Sequence, residues 1–140
     1  MKEENMIEVI LLQAGREAKP IKIENNLTTM QKIVDGYIEE YMPFPDDVAI
    51  VCNEEGKMRG MDLNRAIKGE DGEIIDIICG DCFLCYAPIE SEDFLSMPEE
   101  LKEKYLELFR KPEVFFRTES GIKAVPLDVK PREKERDEAR

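Results

Sequence analysis

Residues 47–65 read DVAIVCNEEGKMRGMDLNR. Val48 to Val51 is an apolar run bounded by polar residues, and it reads as a buried strand. Asn53-Glu54-Glu55-Gly56 follows as a polar turn. Lys57 to Met61 is a short returning stretch, and Leu63-Asn64-Arg65 lies beyond it. An amide, two carboxylates, a lysine and an arginine therefore gather beside an apolar strand. That mixture suits a polar ligand or a partner better than it suits a core.

Outward from this stretch the apolar pattern alternates between strand and helix. Met6 to Gln13 reads as a central strand, and Pro20 to Ile23 as its hairpin partner across the turn at Ala14 to Glu17. Leu27, Met30, Ile33 and Val34 fall at helical spacing. Thr28 with Gln31 could form a capping box there, or Asn26 could cap the helix, and Gly36 is placed to end it in a left-handed conformation. Tyr37 to Met42 reads as a third strand closed by Pro43 and Pro45, and Val48 to Cys52 as the fourth. Leu63 to Ile67 suggests a helical turn. Ile74 to Cys79 and Phe83 to Tyr86 form the last strand region, interrupted at Gly80-Asp81. Ser96-Met97-Pro98-Glu99 is a second capping-box candidate, ahead of a helix with Leu101, Tyr105 and Leu108 on one stripe. Pro112 stops it, and Val114 to Phe116 adds a strand or clip. The expected fold is α+β: a small mixed, mainly antiparallel β-sheet with one short helix packed on it, plus a C-terminal helix and a charged tail. The expected division is an α+β core domain at 1–88, a helical appendage at 89–118 and a charged, flexible tail at 119–140.

The chain has 140 residues and a net charge of −12, from 20 basic and 32 acidic side chains. The last ten residues carry four of each sign, so the whole excess lies in residues 1–130. Nucleic-acid binding rests on Lys and Arg neutralising phosphates, and anionic membranes also attract basic surfaces. Both are disfavoured here. Acidity leaves solubility as its plain meaning, and basic partners or imitation of DNA charge as the sharper one. No apolar run approaches the ~18 residues of a membrane span, and no signal-peptide core follows the N-terminus. The expected location is the cytoplasm of a bacterial host cell. The chain has no His, which rules out a Ser-His-Asp or Cys-His set and a His-ligated zinc within it.

Cys79, Cys82 and Cys85 form C-x2-C-x2-C, with Cys52 upstream. Such spacing can wrap zinc or an iron–sulfur cluster. In an extended strand, however, Cys79 and Cys85 would face one side and Cys82 the other. Buried free cysteine also behaves as a small hydrophobe. No metal, cofactor or disulfide is therefore expected. Glu39 with Glu40, Glu54 with Glu55, and Asp76 with Asp81 are carboxylate pairs, but no partner motif fixes an acid–base role. The glycines spell neither common phosphate-binding loop.

Asn53, Lys57, Asn64 and Arg65, with Tyr37, remain as the candidate ligand-binding set. Arg forks onto phosphate or carboxylate, and Tyr stacks on a ring. Glu39 or Asp81 would take sugar hydroxyls. The plain alternative makes Asn53 to Gly56 a hairpin turn and Asn64 a helix cap.

At these residues, over about 7–86, the chain resembles the domain-of-unknown-function family DUF3846 of phages and mobile elements. The resemblance rests on Leu27 through Gly36-Tyr37-Ile38-Glu39, on Val51 through Lys57, on Leu63-Asn64-Arg65 and on Ile77 through Asp81. It implies a small α+β domain and supplies no reaction. In that family the position of Cys79 is often not cysteine, which further weakens a metal role. Small accessory proteins of such settings often counter host defence, which is analogy at the level of setting. The expectation is a non-enzymatic, homo-oligomeric protein that sequesters a small nucleotide-like immune signal. The alternative is an acidic inhibitor of a host protein or a DNA mimic. An enzyme using acids or a metal is the third reading.

Overall fold

The computed structural model describes residues 5–128. Lys130 to Arg140, read from sequence as a solvated tail, lie outside the described residues.

The strand at Val48–Asn53 (β4) is buried at every position, as its unbroken apolar run requires. It lies inside a five-stranded antiparallel sheet with the order β2-β1-β7-β4-β3. The other strands of that sheet are β1 (Met6–Leu12), β2 (Lys19–Glu24), β3 (Ile38–Tyr41) and β7 (Cys82–Tyr86). Both faces of its centre are covered. Val9, Ala49, Val51, Phe83 and Cys85 pack on one face with Met30 of helix α1 (Leu27–Val34). Ile10, Leu12, Val48, Ile50, Cys82 and Leu84 pack on the other. There they meet Tyr105 of helix α2 (Glu99–Leu108) and Phe109 beyond its end. Ile67 and Ile78 join them from a separate hairpin, β5 (Leu63–Lys68) with β6 (Ile74–Cys79). Alternate residues of one strand thus serve two cores. Each large side chain buried this way contributes about 1.5–3 kcal/mol before entropy is counted.

The sheet is closed at its weak points by side chains. β7 pairs with β1 only along Ile10 to Leu12. Where β7 has left, the Glu8 N–H donates to Ser96 Oγ at 2.8 Å, and the Met97 N–H donates to the Glu8 carbonyl at 3.0 Å. Ser96 is therefore a clip for β1 and not the cap of α2, whose cap position is Pro98. At α1 the cap is Asn26, whose Oδ1 accepts from the Thr29 N–H at 2.8 Å. The left-handed residue at its end is Asp35 (φ 63°), one place before the expected Gly36. Asn and Asp tolerate this conformation better than other side chains do.

Three further expectations change. Leu63 to Ile67 is a strand and not a helical turn, because pairing with β6 and burial of Ala66 and Ile67 override weak local preference. Residues 89–118 are not an appendage, since Met97, Tyr105 and Phe109 belong to the main core. Residues 119–126 are not tail but complete a second two-stranded unit, β8 (Glu113–Thr118) with β9 (Gly121–Pro126). This hairpin is held to β5 by Glu113, whose carboxylate accepts from the Ala66 N–H at 2.8 Å.

Candidate functional site

The β3–β4 register sets Glu39 opposite Cys52 and Tyr41 opposite Ile50. Cross-strand partners share a face, so Glu39, Tyr41 and Cys52 line one side of the sheet. The turn after β4 rises over that face and rests on β6. A Cβ at Gly56 would sit 2.6 Å from the Cys79 carbonyl oxygen, so only glycine lets the turn approach this closely. A groove of about 270 Å³ results, walled by Glu39, Tyr41, Glu54, Glu55, Lys57 and Asp76 with Cys52 and Cys79 beneath.

Lys57 forms an ion pair with Asp76. Burial pushes the Asp76 carboxyl up, but hydrogen bonds from Lys57, the Ile77 N–H and Tyr41 outweigh it and leave its pKa below the ordinary value. The same bond to Asp76 raises Lys57. Burial, then Asp76, raises Tyr41. Burial pushes the Cys52 thiol up to about 11, with Glu39 and Asp76 adding to it, and burial also raises Cys79. At neutral pH both thiols are therefore protonated, and the lysine is charged and engaged. Glu39, Glu54 and Glu55 remain without a cation among the described ion pairs. The groove is acidic.

Of the residues assigned from sequence to a ligand-binding set, Glu39, Asn53 and Lys57 line this groove. The polar atoms of Asn53 are spent on the main chain: its amide donates to the Val34 and Asp35 carbonyls and accepts from the Glu55 N–H. Tyr37 is 71% exposed and borders a separate hollow of about 280 Å³ with Gln31, Arg59 and the far side of Glu54 and Glu55. Arg59 there donates to the Asp35 carbonyl at 2.8 Å. Asp81 lies in a third depression with Asp35, Arg59 and Asp62.

Asn64 and Arg65 require correction as ligand-binding residues. Both are buried, at 0% and 1% exposure. The Asn64 amide donates to the Leu12 and Gly80 carbonyls. Arg65 donates to the carbonyls of Phe109, Gln13 and Arg16 and to Asn64 Oδ1. A buried guanidinium must satisfy its fork, and the protein interior does so here. Asn64 is likewise no helix cap, since it stands within β5.

Tyr41 and Asp76 are the groove residues whose place was not foreseen. A lone acid between Ile75 and Ile77 in an apolar strand was the available signal. Its supposed pairing with Asp81 does not occur, because the two acids line different hollows. The cysteines disperse: Cys82 and Cys85 enter opposite cores, and all four are free thiols. Among the described residues no three His, Cys, Asp or Glu side chains are grouped to hold a metal ion. No helix among them is long and apolar enough to cross a membrane.

Comparison with curated proteins and with solved structures finds no match. The family model described as Domain of unknown function (DUF3846) matches residues 7–110, which takes in the whole groove and α2, and the chain belongs to that family.

Proposed function

We propose that this protein is a binding protein without a chemical step, and that its groove receives a basic side chain or amine of a partner protein. The observation that carries this reading is the charge of the groove. Its lysine is tied to Asp76, while Glu39, Glu54 and Glu55 have no cation among the described ion pairs and would attract one. A phosphate would be repelled there. The protonated thiols and the engaged lysine leave the groove without a ready nucleophile, which supports binding over covalent catalysis. The net charge of −12 would speed encounter with a basic partner at low salt. In a phage or mobile-element setting such a protein would act as an acidic inhibitor of a host protein.

Sequestration of a nucleotide-like signal is the second reading. It now rests on the exposed Tyr37 ring beside Arg59, without Asn64 and Arg65. One experiment separates the two. The ¹⁵N-labelled protein is titrated with argininamide and, in parallel, with adenosine monophosphate, and amide shifts are mapped. Shifts confined to Glu39, Tyr41, Glu54 to Lys57 and Asp76 with argininamide support the groove reading. Shifts at Tyr37 and Arg59 with the nucleotide favour sequestration. Argininamide shifts spread evenly over the acidic surface would sink the groove as a site.

A further inference from the structure

We infer that the partner is an extended basic segment that adds as a sixth strand to the open edge of β3, with an alternate side chain entering the groove. This deepens the proposed function and rests on it.

Among the described residues β3 is the terminal strand of the five-stranded sheet. The Glu54 N–H donates to the Tyr37 carbonyl at 3.0 Å, which identifies Tyr37 and Glu54 as a hydrogen-bonded pair just ahead of β3. By the alternation of an antiparallel ladder, Glu39 and Tyr41 turn their main chain toward β4 as well. Ile38 and Glu40 then turn theirs outward, where an added strand would find them. Side chains follow the same period. Glu39 and Tyr41 project onto the groove face, so the residue of an added strand opposite either one would project there too. A basic side chain at that position meets Glu39 and Asp76. Its sequence neighbours fall on the opposite face, beside Ile38 and the exposed Glu40.

Charge selects the occupant. A second copy pairing through its own β3 would bring Glu39 and Glu40 against acids of the same kind, which destabilises a strand pair. Charged edge residues ordinarily block strand addition. Here they refuse an acidic strand and favour a basic one. Pro43 and Pro45 close the edge after Tyr41, so the added segment is short. Main-chain bonds would supply affinity and the groove would supply specificity, as in other strand-addition sites.

The test compares three forms of a short acetylated and amidated peptide alternating arginine with valine: the parent, and two isomers N-methylated on one or the other alternate set of backbone nitrogens. Charge and side chains are the same in all three. Strand addition predicts that one methylated isomer binds about tenfold more weakly than the parent while the other loses much less. Glu40→Pro removes an outward N–H and no bond to β4. It should weaken the parent peptide and leave argininamide shifts in the groove unchanged. Equal binding of all three peptides would overturn strand addition while leaving the groove reading intact. Absence of groove shifts with both argininamide and the parent peptide would remove both.

Discussion

Arg65 and Cys52 show how little a residue's type says about its task until its neighbours are known. Arg65 is the charged side chain that most invites a ligand, yet its donors hold together the end of β1, the turn after it and the end of α2. Burial lowers its pKa, and Glu113 opposes that shift. Arg65→Met should leave those carbonyls unpaired and cost about 3 kcal/mol. A urea-denaturation loss below about 1 kcal/mol would contradict the role. Cys52 makes the converse point, since it lies in a groove but is inert. With its pKa raised to about 11, its alkylation by iodoacetamide should be slow at neutral pH. The rate should climb about tenfold per pH unit toward that value, because the thiolate is the nucleophile. Peptide mapping that finds Cys52 fully alkylated within minutes at pH 7 would refute this.

At the scale of elements, α2 is docked by a small polar and aromatic cluster. Phe44 packs on Tyr105 and Phe109 with ring centroids 4.9 and 5.9 Å apart. Asp46 accepts from Lys104 at 2.6 Å and from the Tyr105 hydroxyl at 2.8 Å. Those bonds hold the Asp46 carboxyl below its usual pKa. Its stabilising contribution is thus complete above the unfolded value of about 3.9 and is lost as pH falls through the lower folded value. Tyr105→Phe should cost about 1 kcal/mol at neutral pH. Asp46→Asn should flatten part of the stability loss as pH falls below about 4. Urea midpoints across that range decide the matter, and identical slopes for wild type and Asp46→Asn would exclude the role. α2 was legible in sequence because its apolar stripe repeats at helical spacing. β5 was not, because its pairing with β6 is a tertiary fact that Leu63-Asn64-Arg65 does not encode locally.

For the whole molecule, two cores share one sheet, and the β8–β9 hairpin belongs to neither. The family match also ends at residue 110, before it. A chain truncated after Lys111 should therefore keep its fold. It should lose about 1–2 kcal/mol with the bond from Ala66 to Glu113. Circular dichroism should show a cooperative melt at a lower Tm, and a non-cooperative melt would show that the hairpin is integral.

The sequence by itself determined the α+β class, the strands β1, β2, β3, β4, β6 and β7, both helices, and the absence of histidine chemistry. These follow from local periodicity and composition, which need no partner to be read. It also marked the turn at Asn53 to Lys57 as the place where polar groups meet a strand. Only the tertiary structure decided which of those groups face solvent. Whether Arg65 meets a ligand or a carbonyl depends on Phe109, a residue far along the chain, and whether Lys57 is free depends on Asp76. Such pairings are satisfied by long-range packing, and a buried polar group takes whichever partner the fold brings within reach.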